Sequence, residues 1–291
     1  DLGRLLAQLL GLQPVVLSSL GELGPALARP GSRIRAFVLC SPSNPGGDVA
    51  PALACCAALD LCAQHGVWAI CDEAYEHFVF DGARHTSLTS DTLGAAAREE
   101  LGRGAATVPS SVPPRGEHPA AKESTISIFT TSKSYGLASW RVGYMAYPHR
   151  LHDAMLKIQD TLPTHACTAS QHVALAAFRL LGPEWVHEQV ATLQPVRPII
   201  WEALRPLSRA AESWPEGSTR LRTQPRGAFY YMLPVPPGVS EDAAVGLLAR
   251  QYGLLLLPGS AFGAPGHLRL SYGGLAGPGI AAEVAERLRN G

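Results

Sequence analysis

A chain of 291 residues with 46% hydrophobic side chains is long enough to bury a substantial core divided between two domains. Lysine plus arginine equal aspartate plus glutamate at 24 each, which excludes a global field that would draw nucleic acid, an anionic membrane surface or a polyanionic substrate. No apolar run reaches the roughly 18 residues that a bilayer span requires, so a soluble protein without membrane association is expected.

The opening Asp1-Leu2-Gly3-Arg4 has neither a methionine nor a signal-peptide layout, and it runs directly into a helical pattern over Leu5 to Leu10. The chain is therefore expected to be joined midway. Gly11 stops that helix ahead of an extended run, Pro14 to Leu17. Arg33 to Cys40 reads as a buried strand feeding the tight loop Ser41-Pro42-Ser43-Asn44-Pro45-Gly46-Gly47. Ala52 to His65 follows as a helix with Gly66 placed to cap its C-terminus, and Val67 to Cys71 is the next buried strand. Thr86 to Ser124 is rich in Ala, Gly, Ser and Pro and reads as a poorly ordered surface insertion, 86–124, without chemistry. Thr125 to Phe129 is a strand, Arg141 to Tyr147 another, and helices are expected over His149 to Asp160 and Ala169 to Leu181.

Strands of nearly continuous apolar character, separated by helices, predict an α/β domain over 1–182, its mainly parallel central sheet covered on both faces. Beyond Pro183 the pattern changes to a long helix interrupted near Pro195 and Pro198, then strand Gly227 to Leu233, helix Glu241 to Tyr252, strands Leu254 to Leu257 and His267 to Tyr272, and a final helix. That order predicts a smaller C-terminal α+β domain over 183–291. No internal repeat is visible.

Six cysteines, at positions 40, 55, 56, 62, 71 and 167, lack a paired-ligand spacing and read as free thiols, most of them in apolar stretches. Unpaired thiols suggest a reducing, intracellular compartment, without separating the cytoplasm from an organelle such as a plastid or mitochondrion. His149 and His152 are three apart with no further His or Cys to complete a set, so no metal is assigned.

In open parallel sheets, ligands collect at the carboxyl ends of the strands, where loops vary on a fixed scaffold. Three such ends carry polar groups here: Asn44, Asp72 and Lys133. Asn44 precedes a proline that biases its backbone toward an extended conformation, so it reads either as a ligand donor or as an ordinary turn residue. Asp72, directly after an apolar strand, must find a cation or solvent; a solvated acidic turn competes, but Tyr75, Phe78 and Phe80 continue into what resembles a packed site. Lys133 sits among four hydroxyl side chains between Thr130 and Ser134, and Arg141 follows eight residues later. A lysine there can form imines, and hydroxyls with a guanidinium suit a phosphate.

These segments, together with Pro258-Gly259-Ser260-Ala261-Phe262-Gly263 and His267-Leu268-Arg269-Leu270-Ser271, resemble the successive signatures of class I/II pyridoxal-phosphate (PLP) aminotransferases. The resemblance extends over nearly the whole chain outside the expected insertion. It implies the fold type I PLP-dependent transferase architecture, a homodimer, and pyridoxal 5'-phosphate as cofactor. It also implies that Lys133 forms the Schiff base, that Asp72 pairs with the pyridine nitrogen, and that Asn44 and Tyr75 donate hydrogen bonds to the cofactor's 3-oxygen. Arg141, Thr130 and Ser132 resemble the phosphate clamp, and Arg269, with Asn44, the group that takes the substrate α-carboxylate. The implied reaction is ping-pong transfer of an amino group between an L-amino acid and a 2-oxo acid. Lys157-Ile158-Gln159-Asp160 is similar to a plant and cyanobacterial subgroup acting on aromatic amino acids or methionine.

Two features depart from that pattern. Thr130 stands where the family motif often has serine, a mild change that keeps the hydroxyl. The family's N-terminal segment, with its phosphate-holding loop at a helix N-terminus, is not visible, so an N-terminally incomplete chain with weakened cofactor binding is expected. Competing readings are a PLP-dependent lyase or decarboxylase on the same fold and a truncated, non-catalytic homologue. A nicotinamide-binding enzyme is disfavoured by the missing G-x-G-x-x-G, and a P-loop enzyme by the missing G-K-[ST].

Overall fold

The computed structural model describes residues 7–102, 123–211, 223–275 and 277–290. The chain divides into two compact units, the first made of Val16–Pro42 with Val49–Val186, the second of Asp1–Val15, Ser43–Asp48 and His187–Gly291.

The first unit contains α1 (Leu23–Leu27), β1 (Ala36–Cys40), α2 (Ala52–Gln64), β2 (Trp68–Asp72), α3 (Leu93–Gly102), β3 (Thr125–Thr130), the single turn α4 (Thr131–Ser134), β4 (Gly143–Ala146), α5 (His152–Thr161) and α6 (Thr168–Leu180). Its sheet has the order β1-β2-β3-β4. The first three strands are parallel, and β4 returns antiparallel to β3 with Thr130 opposite Gly143. The reversal follows from the connection: one helical turn and a short 3-10 turn, Ala138–Trp140, join β3 to β4, too little chain for a parallel crossover. Arg141 lies outside the strand, in the left-handed region at φ 55°, so the expected strand from Arg141 begins two residues later.

Helix α2 is apolar on most sides and buries Ala52, Cys55, Cys56, Ala58, Leu59 and Cys62. Cys55, Cys56, Leu59 and Cys62 on it pack with Phe37 of β1 and Ala69 and Cys71 of β2, and Gly66 at φ 63° supplies the left-handed residue just beyond its end. The opposite side of the sheet is open among the described residues: Val38 is 63% exposed and Met145 43% exposed. The expected disordered insertion 86–124 is corrected over its first part. Leu88, Leu93 and Ala97 are fully buried and join the same core, the last two on α3. An alanine-rich segment with Leu93 and Ala97 four apart has both the propensity and the stripe for a packed helix. Residues 103–122 lie outside the described ones.

Helix α7 (Gly182–Ala191) spans the division between the units. The second unit continues with α8 (Val196–Ala211), β5 (Tyr230–Pro234), α9 (Glu241–Tyr252), β6 (Leu257–Pro258), β7 (His267–Ser271) and α10 (Pro278–Asn290). The helical break falls at residues 192–195, and Pro198 is accommodated in the first turn of α8, where no backbone donor is needed. Helix α9 is bounded by Ser240, whose hydroxyl accepts from the Ala243 N–H, and by left-handed Gly253. The sheet order is β5-β7-β6, antiparallel throughout; of the expected Leu254 to Leu257 strand only Leu257 pairs, and the pairing continues to Pro258. Val196, Ile200, Tyr231, Leu268, Tyr272 and Ala281 form its core.

The loop after β1 belongs to this second unit. Gly227 N–H donates to the Gly47 carbonyl at 2.7 Å, and Gly47 is left-handed at φ 75°. A Cβ on it would lie 2.7 Å from Pro225 Cβ and 2.8 Å from the Gly227 carbonyl oxygen, so only glycine fits.

Candidate active site

In the first unit, β2 and β3 end side by side. Cys40 pairs with Asp72 and Asp72 with Ile128, so the expected ligand residues of β2 and β3 leave the sheet at one edge. Asp72 Oδ1 accepts from the Ala74 N–H at 3.1 Å, which folds the chain back over its own carboxylate and leads to Tyr75. Tyr75 is 5% exposed and meets Phe78 edge-on at 6.2 Å.

The Lys133 turn is built from its own hydroxyls. Thr130 caps α4: its Oγ1 accepts from the Ser132 N–H at 3.1 Å and lies 2.8 Å from Ser132 Oγ. Thr131 Oγ1 donates to the Val142 carbonyl at 3.1 Å, tying the turn to the start of β4. The Lys133 ammonium stands 5.9 Å from the centre of the Tyr75 ring, within cation–π range, and among the described residues it forms no ion pair. Arg141 donates from Nη1 to the Ala138 carbonyl at 2.9 Å, a local bond that leaves its other donors for solvent or a ligand.

The carboxylate next to Asp72 points elsewhere. Glu73 is fully buried, with Ser87 Oγ donating to its Oε1 and His85 Nε2 at its Oε2, both at 2.8 Å. Burial pushes the Glu76 carboxyl up to about 7, Glu73 adds to the shift and His85 opposes it. Burial also drives the Cys55 thiol up to about 12 and Cys71 higher still, which removes both as nucleophiles.

In the second unit, Arg269 lies between two rings, 4.3 Å from the centre of Tyr230 and 3.8 Å from that of Phe262. Its Nη1 donates to Asn44 Oδ1 at 2.8 Å, while its buried Nε has no acceptor among the described residues. A guanidinium held flat by two rings, with one donor engaged and another buried without a partner, is preorganised for a planar anion such as a carboxylate.

The sequence-predicted residues thus fall into two groups. Asp72, Tyr75, Thr130, Ser132, Lys133 and Arg141 belong to the first unit, Asn44 and Arg269 to the second. Residues not singled out from sequence are Glu73, Glu76, His85 and Ser87 around the first group and Tyr230 and Phe262 around Arg269. The Asp-Glu pair ending an apolar strand was a usable signal for Glu73; nothing local marks the two rings. No helix among the described residues is long and apolar enough to cross a membrane.

The family model for class I and II aminotransferases matches residues 20–278. The chain is 31% identical over 261 residues to the aromatic aminotransferase ISS1 of Arabidopsis thaliana, covering 88% of this chain and 55% of that protein. It is 30% identical over 251 residues to the aspartate aminotransferase of Geobacillus stearothermophilus, covering 82% and 53%. The chain thus spans about half the length of the curated relatives it matches. Among solved structures, an aminotransferase from Mycobacterium tuberculosis superposes with a TM-score of 0.75 at 22% identity, over 99% of this chain and 66% of that one, a likeness of fold.

Proposed function

The chain belongs to the class I and II aminotransferase family, and from that premise we propose that it moves an amino group between an L-amino acid and a 2-oxo acid, with Lys133 at the reacting centre. The observation that carries the reading is the Lys133 turn at the end of β3. It presents a half-buried amine, unpaired by any carboxylate among the described residues, over the Tyr75 ring and one strand from Asp72.

The family is PLP-dependent, and the donor set fits that cofactor. It offers an amine for an aldehyde carbon, a carboxylate for a ring nitrogen, a phenol for a ring oxygen, and two hydroxyls with a guanidinium for a phosphate. Bound pyridoxal phosphate supplies an aldehyde that condenses with amino groups and a ring that accepts an electron pair from the substrate carbon. Lys133 would hold the aldehyde carbon and, once released, would carry the proton at the substrate α-carbon. By the family resemblance, Asp72 would keep the ring nitrogen protonated, Asn44 and Tyr75 would donate to the ring oxygen, and Thr130, Ser132 and Arg141 would hold the phosphate. Arg269, oriented by Asn44 and its two flanking rings, would take the substrate α-carboxylate.

The proposed amino donors are aromatic amino acids or methionine. The Lys157 to Asp160 segment and the similarity to an aminotransferase named as aromatic support this choice. A homodimer is the proposed assembly, supported by the family resemblance. The test supplies the purified chain with pyridoxal phosphate, L-phenylalanine, L-tyrosine, L-methionine or L-aspartate, and 2-oxoglutarate. Glutamate should form in amounts equal to the new 2-oxo acid, and Lys133→Ala should abolish it. Release of ammonia or carbon dioxide instead, or unchanged turnover in Lys133→Ala, would overturn the reading.

A further inference from the structure

Strand β2 ends in two consecutive carboxylates whose surroundings differ completely. Side chains alternate along a strand, so Asp72 shares a face with Trp68 and Ile70, and Glu73, next in line, turns to the side of Ala69 and Cys71. Those two residues are fully buried, and so is Glu73. A carboxylate withdrawn from water is costly unless its oxygens are bonded, and here both are. Ser87 Oγ donates to Oε1 and His85 Nε2 reaches Oε2, each at 2.8 Å. Ser87 also lies 3.0 Å from Thr89 Oγ1, which reaches Ser127 Oγ of β3 at 3.3 Å.

The backbone of Glu73 is fixed as well. Its N–H donates to the Ile128 carbonyl at 2.9 Å, carrying the β2–β3 ladder one residue past Asp72, and its carbonyl accepts from the Glu76 N–H at 3.0 Å. Four anchors thus converge on one residue between Asp72 and Tyr75. Within the same turn, Asp72 accepts from the Ala74 N–H.

We propose that Glu73 is a positioning residue, which through its bonds to His85 and Ser87 sets the direction in which Asp72 and Tyr75 meet the cofactor. The inference rests on the functional reading above and deepens it. Glu73 touches neither cofactor nor substrate. It acts because Asp72 and Glu73 share one peptide unit: a carboxylate locked on the core side fixes the Cα–Cβ direction of its neighbour on the other side. His85 and Ser87 belong to this device although they lie twelve and fourteen residues away in the chain.

The test compares wild type with Glu73→Ala, Glu73→Gln and Ser87→Ala in two arms. In the first, without cofactor, amide hydrogen exchange is followed over residues 72–76. Glu73→Ala should speed it about tenfold or more there, while the α2 core stays protected; unchanged exchange in 72–76 would overturn the proposal, whatever the cofactor does. In the second, pyridoxal phosphate labelled with 15N in its ring is titrated. Glu73→Ala should weaken binding about tenfold, as lost outer partners do at other sites, and shift the ring-nitrogen resonance toward its unprotonated position. Glu73→Gln, which keeps the shape and one acceptor, should recover most of both effects, with Ser87→Ala between. Weakened binding with an unmoved nitrogen resonance and no recovery in Glu73→Gln would mark a merely structural residue and sink the idea. If wild type itself binds no cofactor through Lys133, the functional reading fails, and the exchange arm still decides whether Glu73 anchors the turn.

Discussion

Replacing Glu76 by glutamine should stabilise the first unit at neutral pH and above, and leave it unchanged only in acid below the ordinary carboxylate value. The carboxyl is raised from an ordinary 4.5 to about 7, first by burial and then by Glu73, against an opposing effect of His85. A folded-state value above the unfolded one means that the folded chain binds more protons between the two. Stability therefore falls as the pH rises from 4.5 through 7, and the penalty is complete above that. A shift of about 2.5 units, at roughly 1.36 kcal/mol per unit, sets a ceiling near ~3.4 kcal/mol. The side chain is 26% exposed and stands 3.6 Å from His77 Nε2, so solvent and a part-time cation both reduce it. We expect about 1–2 kcal/mol at pH 8. Glutamine keeps the volume and the polar end without the charge. Urea unfolding followed by circular dichroism at pH 4, 5, 6, 7 and 8 should show the variant nearly level with wild type at pH 4, a gap that opens from pH 5 through 7, and little further growth. A wild type more stable than the variant at pH 8 would show that Glu76 is held as an ion by a cation, and a gap independent of pH would show that its titration is not the cause; either result would refute the reasoning.

Two further outcomes follow from the second unit. Arg269→Lys replaces a planar fork stacked between Tyr230 and Phe262 with a flexible point charge; the KM for the amino donor should rise about 10- to 100-fold, the equivalent of one lost charge-assisted bond, in steady-state assays of glutamate formation. Gly47→Ala forces a side chain at φ 75° into Pro225 and the Gly227 carbonyl; the unit should lose about 2 kcal/mol or more, read from its urea midpoint, because strain and overlap act together.

What could be read from sequence is what is encoded locally. The ends of β1, β2 and β3 were legible because short apolar runs and the turn residues that bound them are properties of neighbouring residues, and Asp72, Lys133 and their surroundings follow from them. Helix α3 was not legible, because an Ala-, Gly- and Ser-rich composition describes a loop and a small-residue helix equally well; the distinction is made by α2, against which Leu93 and Ala97 are buried. The placement of Ser43–Asp48 involves a backbone bond from the Gly227 N–H to the Gly47 carbonyl, and backbone donors leave no trace in residue identity. Tyr230 and Phe262 flank Arg269 only because three separate segments of the second unit fold together.

Glu73 lies between these cases. Strand alternation alone requires that if Asp72 faces a ligand, the next carboxylate faces the core, where it must be bonded on both oxygens. The residues that bond it, His85 and Ser87, fall in or beside the stretch whose composition reads as an insertion. The same misreading therefore hid a helix and the partners of a buried carboxylate. A segment of low complexity next to a strand-ending Asp-Glu pair is better tested first for the donors that the buried carboxylate must have, because that requirement is set by solvation and does not depend on composition.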